Sequence, residues 1–355
     1  MNVDALAILE DLEEDAAKDA IQLFTSPRNT CITHINNTFE VLSPPNKRLV
    51  ALKGVTTSLK AYTWPHFTFS ALSENVKYLP PELRGEKPPP GVGELDGVGI
   101  NAGSRRGSRV HQEAEMFVHG HHDSVDYKNL KFHPLTNLVI DYILNPNSRR
   151  ASVMSRESVD FGLGFDTWIP LGAEFKLYDE DCGIASAVDI VCINTNGTLC
   201  FIELKVGHAE TWHASCGVMN GTGSSQVALT PLNQALVQVG IYGIIARHKY
   251  NVRNVRMVVL NVNYSGVREF CVTPDFLVQA VAPIYLDIKE AIRLEKEQRR
   301  VDREARKAER QRLRQYGRAL GKKSQLFVDH HAERRSDHRV TRYVKTPLST
   351  TLRNT

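Results

Sequence analysis

The stretch that most constrains this chain is a pair of β-rich runs, GIASAVDIVCI (183–193) and GTLCFIELKV (197–206), joined by the turn signal Asn194-Thr195-Asn196-Gly197. β-Branched and aromatic residues favour strands in both runs, and an Asn-Gly step tolerates the positive φ angles of a tight hairpin. Once that hairpin forms, its register decides which charged side chains meet. Residues i and i+2 of a strand share a face, so Glu203 and Lys205 point the same way. Asp189, on the preceding antiparallel strand, can sit across from them. Two carboxylates converging on one point make a hard-oxygen site of the kind magnesium or manganese takes. The plainer reading is a surface strand carrying an ion pair, and the tripeptide Glu203-Leu204-Lys205 alone does not choose between the two.

The flanking sequence extends this hairpin into a larger architecture. A third run, TWIPLGAEFKLYD (167–179), precedes it and predicts a three-strand meander. After a Gly/Ser-rich loop over 214–230, PLNQALVQVGIYGIIARHK (231–249) reads as a helix with Pro231 acceptable in its first turn. RNVRMVVLNVNY (253–264) and REFCVTP (268–274) read as further strands. Upstream, Pro and Gly clusters over 80–107 predict a loop, with helices from Ser108 and over Pro134–Leu144. KGVTTSLKAYTW (53–64) looks like a helix start, with Thr56, Thr57 or Ser58 free to cap the first amides. This order predicts the α/β class, with a mixed central β-sheet flanked by helices. The expected organisation is an acidic N-terminal helix and turn-rich connector (1–48), the sheet domain (49–288), a basic charged helix (289–323) and a disordered tail (324–355).

Charge is distributed unevenly. Residues 289–355 hold 20 Lys+Arg against 9 Asp+Glu, a net +11, so the remaining 288 residues carry 24 against 31, a net −7. The segment 286–323 is rich in strong helix formers and poor in large apolar residues, so it has little to bury and is expected to project from the body. A basic tail on an acidic body points to a polyanionic partner, met through phosphates; a merely solvated helix is the competing reading. No apolar run is long enough to span a bilayer, and the acidic, amphipathic N-terminal sequence argues against a secretory signal. Six cysteines without C-x-x-C spacing fit a reduced intracellular compartment and give no iron–sulfur or structural zinc pattern. Nothing in the sequence specifies an oligomeric state.

Four motifs in order then carry a resemblance. They are Gly107-x-x-x-His111-x-x-x-Glu115, Glu174 ahead of Asp189, Glu203-Leu204-Lys205, and Gln238-x-x-x-Tyr242. Together they resemble the RecB-like branch of the PD-(D/E)xK nuclease superfamily, and GVTTSLKAY is similar to the helix start of mitochondrial genome maintenance exonucleases and related viral and phage enzymes. The resemblance implies a restriction-endonuclease-like core and a magnesium-dependent deoxyribonuclease, with manganese a substitute. Such an enzyme acts on DNA ends or single strands in replication, recombination or repair. It implies His111, Asp189, Glu203 and the Leu204 carbonyl as metal ligands, Lys205, Gln238 and Tyr242 as further catalytic groups, and Glu115 and Glu174 as groups orienting the ligands. Thr56, Thr57 and Ser58 would bind backbone phosphate. Two departures stand out. Ser186 replaces a glycine usual three residues before the aspartate, and the long spacing after Lys205 leaves Gln234 as an alternative to Gln238. An inactive nucleic-acid-binding relative and a structure-specific endonuclease are the alternative functions.

The histidine-rich stretch GSRVHQEAEMFVHGHHD (107–123) first suggests zinc, because His111, Glu115 and His119 recur every four residues. It lacks a fourth ligand of known spacing and is not H-E-x-x-H. The expectation is one working histidine, His111, with His119, His121 and His122 in a solvated helix end.

Overall fold

In a computed structural model the described residues are 14–35, 38–43, 48–63, 77, 102–120, 132–145, 168–194, 196–207, 211–220 and 227–319. The chain divides into two units, Met1–Ala291 and Ile292–Thr355. The first is mixed α/β, built on an eight-stranded mixed sheet. Its elements in order are α1 (Glu14–Phe24), β1 (Ile32–Ile35), β2 (Thr38–Ser43), β3 (Arg48–Gly54), α2 (Val55–Thr63), α3 (Ala102–Gly120), α4 (Pro134–Leu144), β4 (Trp168–Asp179), β5 (Ile184–Asn194), β6 (Leu199–Val206), α5 (Pro231–Lys249), β7 (Val255–Asn263) and β8 (Gly266–Cys271). A short helical lead and a π-helical turn, Leu277–Val281, run into a long final helix, α6 (Ala282–Ala319).

The sheet runs β1-β2-β3-β5-β6-β7-β8, with β4 paired to β5. The meander β4–β5–β6 is antiparallel throughout, as the hairpin signal predicts. Gly197 in its turn takes φ +76°, a left-handed angle that glycine adopts without steric cost. β6 pairs β7 in parallel, because α5 carries the chain back across the sheet between them. Thr230 caps α5 by accepting a hydrogen bond from the Asn233 amide, and Pro231 follows in the first turn, where no amide is needed.

Alternation along β5 and β6 splits the side chains between two layers. Ile190, Cys192, Cys200, Ile202 and Leu204 join the core formed with α3 and α4. Glu203 and Lys205, at the intervening positions, meet Gln238 of α5. α5 is buried nearly all round, and two glycines let it approach its neighbours. A Cβ on Gly240 would lie 2.7 Å from Val281 Cγ2, and one on Gly243 would lie 2.1 Å from Met257 Sδ. Neither position can take a larger residue without movement of packed atoms.

Three expectations need correction. Ile32–Ile35 and Thr38–Ser43, expected as part of a turn-rich connector, form the antiparallel strands β1 and β2, and β2 pairs onto β3. β-Branched and aromatic residues at Ile32, Phe39 and Val41 bury against the sheet, and this tertiary burial outweighs the weak local pattern. Helix α3 begins at Ala102 and not at Ser108, so the glycine-containing end of the expected loop is helical. Arg106 there lies over the Tyr264 ring, 5.5 Å from its centroid, a long-range contact invisible to local pattern. Helix α2 starts directly after Gly54, so Thr56, Thr57 and Ser58 occupy its first turn and not its cap. His121, His122 and the tail 324–355 lie outside the described residues, as does the expected loop from 80 to 101.

Candidate metal centre

The site forms where the sheet forks. One edge of β5 pairs with β3 at Ile184 and Ala185 and with β6 from Ile190 to Ile193. Between these two pairings β6 leaves β5 and continues beside β7 as far as Val206. The edge of β5 from Ser186 to Asp189 therefore opens toward Glu203, Leu204 and Lys205. The Asp189 carboxylate bridges the gap: its Oδ2 accepts the Leu204 amide at 2.7 Å, in place of the backbone partner that the diverging strand no longer offers.

Groups from five elements meet at this fork. His111 reaches in from α3, its Nδ1 3.5 Å from Asp189 Oδ1. Glu174 arrives from β4, where Ala173 pairs Ile190 and Phe175 pairs Val188, leaving Glu174 opposite Asp189. It holds φ +49°, a left-handed angle that costs a non-glycine residue energy and marks a constrained position. His111, Glu174 and Asp189 each offer one ligand atom, all within 4.8 Å of one another. From β6, Lys205 Nζ donates to Glu203 Oε1. Gln238 on α5 donates to Glu203 Oε1 at 2.8 Å and to Tyr242 Oη at 2.5 Å, and its own Oε1 lies 3.5 Å from Lys205 Nζ. Ser186 Oγ donates to the same tyrosine oxygen at 3.1 Å. Of the two candidate glutamines, Gln238 is the one bonded to Glu203.

The electrostatics follow from burial and crowding. Burial, then the neighbouring Asp189, pushes Glu174 up to about 7. The same two causes raise Glu203 to about 6, against the opposing pull of Lys205. Burial alone would lower His111, but the Asp189 carboxylate beside it outweighs that and holds its pKa up. Lys205 likewise stays protonated: burial works against its charge, and Glu203 and Asp189 more than restore it. Burial, with the Glu203 and Asp189 charges behind it, drives the Tyr242 phenol far above its ordinary range, so it remains a neutral hydrogen-bonding group. Crowded carboxylates that resist ionisation are what a cation site looks like before its cation is counted.

These residues fit a divalent cation on a specific observation. Glu203 is buried, and its Oε2 has no hydrogen-bond partner among the described residues. A buried, unsatisfied polar atom costs about 1–3 kcal/mol, more if charged, so such an oxygen is retained where something else satisfies it. One imidazole with carboxylate oxygens suits magnesium or manganese, and the absence of thiolates from the cluster disfavours soft metals.

The arrangement differs in one respect from the expected ligand set. The converging triad contains Glu174, which the motif reading kept as an orienting group, while Glu203 is outside it, bonded to Lys205 and Gln238. Strand parity could not show this, because the positive φ at Glu174 and the register shift between Pro170 and Gly172 break the alternation of β4. Leu204 enters the site through its amide, bonded to Asp189. Glu115 lies 3.9 Å from the exposed His119, and its charge adds to the upward shift of Glu174. Thr56 and Thr57 are exposed at the start of α2, directly after the Gly54–Ala185 pairing at the lower arm of the fork. Ser58 has a buried hydroxyl with no hydrogen-bond partner among the described residues. Ser186, noted in the sequence only as a small residue, holds the Tyr242 hydroxyl, and the Q-x-x-x-Y spacing was the available signal for that contact.

No family model matches the chain, and no curated protein matches it. Among the described residues no helix is long and apolar enough to cross a membrane.

Proposed function

We propose that the chain is a metal-dependent deoxyribonuclease of the PD-(D/E)xK type, acting as an exonuclease on DNA ends. The observation that carries this reading is the meeting of Asp189, Glu203 and Lys205 with His111, Glu174 and Gln238 at one sheet fork. His111, Glu174 and Asp189 would hold magnesium or manganese, with the open Glu203 oxygen and the Leu204 carbonyl beside them. Such an ion supplies positive charge against a phosphodiester. Lys205 keeps its proton, so it serves as a charged donor that orients a water and offsets charge building on phosphorus, and not as a base. In the reaction the water oxygen bonds phosphorus as its proton passes to solvent, one P–O ester bond breaks, and the departing sugar oxygen takes a proton from solvent. Gln238 fixes Lys205 and Glu203 relative to each other, while Tyr242, itself bonded to Ser186, fixes Gln238. The N-terminal end of α2, with the exposed Thr56 and Thr57, would take a flanking phosphate. End dependence rests on the resemblance of the Q-x-x-x-Y motif.

The test is digestion of end-labelled linear DNA and closed circular DNA with magnesium, by the full chain and by Lys205→Ala. Loss of label from linear DNA alone, abolished by Lys205→Ala, is the expected result. Cleavage of circles would identify an endonuclease, and no cleavage of either would favour an inactive nucleic-acid-binding protein.

A further inference from the structure

The second unit has a charge pattern that the fork does not explain. Along α6, Arg293, Lys296, Arg300, Arg303, Lys307, Arg310 and Arg314 follow one another at steps of three, four, three, four, three and four. At 3.6 residues per turn this alternation places all seven on one stripe, about 32 Å long at a rise of about 1.5 Å per residue. The acids of the same stretch, Glu295, Glu297, Asp302, Glu304 and Glu309, fall to either side of it. Some of them pair with cations one turn away, which favours the helix modestly: Arg299 pairs with Glu295 at 2.6 Å, and Arg300 with Glu297 at 2.7 Å. From Arg293 to Leu313 every residue is exposed except the half-buried Glu295.

We propose that this stripe is a docking rail for the phosphodiester backbone of nucleic acid. A heptad spacing normally builds an apolar seam for a second helix; filled with Lys and Arg, it repels a second copy and attracts a linear polyanion. A lipid surface fits less well. The opposite side of the helix carries Leu294 and Val301 but then Ala305, Ala308 and acids, so it lacks the row of large apolar side chains that inserts into a bilayer interface. The remainder of the chain is net −7, so the basic helix and the tail after it supply the long-range attraction for DNA. The choice of DNA as the polyanion rests on the nuclease reading; the rail itself does not. Its use would be to raise the local concentration of substrate, without sequence preference.

The experiment measures DNA binding by the full chain in chelator, where no cleavage occurs, so its outcome is separate from that of the activity test. Fluorescent single-stranded and duplex DNA of about 20 residues are titrated between about 50 and 200 mM salt; a protein making six or more phosphate contacts loses roughly a thousandfold or more in affinity over that range. The diagnostic variant exchanges neighbours: Asp302→Arg with Arg303→Asp, Lys307→Ala with Ala308→Lys, and Glu309→Arg with Arg310→Glu. Composition and net charge stay the same, but three cations leave the stripe. Expected is weaker binding at low salt and a log–log salt slope about half that of the unaltered chain. Should the exchange unwind the helix by circular dichroism, Gln at Arg303, Lys307 and Arg310 gives the same expectation with helix formers retained. An unchanged slope means that bulk charge suffices and overturns the proposal. So does tighter binding to phosphatidylserine vesicles than to DNA, or failure of the unaltered chain to bind DNA.

Discussion

The fork and the charged helix solve opposite problems with the same side chains. At the fork a few charges are buried among the strands, and each is tied to its neighbours: Lys205 is held by Glu203 and Gln238, and Asp189 by an amide and an imidazole. On α6 the charges are many and exposed, and Arg299 and Arg300 pair with acids one turn away. Low dielectric at the fork makes each charge decisive for its neighbours' protonation; on the helix, water and salt screen every pair. The lesson is that spacing alone does not rank charged residues. Glu203 and Lys205 are two residues apart in a strand, Arg299 and Glu295 four apart in a helix, and burial separates their consequences.

The largest expected effect follows at the fork. Asp189→Ala, Glu203→Ala and Lys205→Ala should each lower DNA cleavage by about a hundredfold to a thousandfold, the scale seen when one charge-stabilising group is lost, while circular dichroism stays unchanged. His111→Ala should raise the magnesium concentration needed for half-maximal cleavage. His119→Ala, whose side chain is exposed and pairs loosely with Glu115, should leave that concentration as it was. Near-normal cleavage by any of the first three would sink the site assignment.

Next in size is a change that touches no charge. Gly240→Ala would push a methyl into Val281, and overpacking of this kind costs about 1–3 kcal/mol. Because Gly240 lies between Gln238 and Tyr242 on α5, the same change should also lower cleavage. Val281→Ala in the Gly240→Ala background should recover part of both. A stability loss without that recovery, in urea titrations of the two variants, would show that the contact is not the cause.

Protons at the fork give a smaller effect with a defined sign. Glu174 has an ordinary value of 4.5 and a folded value near 7, and Glu203 is raised to about 6. Groups raised in the folded state favour folding most below the unfolded value, and that contribution is lost as pH climbs through the folded value. In chelator these acids should therefore lower thermal stability between about pH 4.5 and 7. Glu113 and Asp179, both shifted down by their hydrogen-bond and ionic partners, act in the opposite direction. The diagnostic is thus the difference between the unaltered chain and Glu174→Gln: the variant should gain melting temperature relative to the parent at pH 8 and lose that gain at pH 5. Saturating magnesium should shrink the gap. An identical pH profile for both proteins would remove Glu174 from the cluster.

Much of this was legible in the sequence, and the reasons differ by region. The meander, α4 and α5 were readable because turn residues, β-branched runs and a proline at a helix start all point one way. Glu203 and Lys205 were readable because spacing within one element maps directly onto one face, whereas Gln238 came from the motif resemblance, with Gln234 beside it as an alternative. The strand pair β1–β2 was not, since its strands are short and their apolar residues acquire meaning only against β3. The place of Glu174 in the triad was not either, because it depends on a backbone angle that no side-chain pattern encodes.

The smallest effect belongs to the ion pairs of α6. Arg299 and Glu295 are four residues apart, with the arginine side chain largely exposed, and such pairs gain little over their hydrated partners. Glu295→Gln should leave the melting temperature of the first unit unchanged and reduce helix content only slightly. It should nevertheless strengthen DNA binding at low salt, because an acid flanking the basic stripe is neutralised while the stripe is kept. The gain should disappear as salt rises and the Debye length falls below about 10 Å. A variant that binds DNA more weakly, in the same fluorescence titration, would mean that the pair orders Arg299 for binding and that the helix geometry, and not its net field, is what nucleic acid meets.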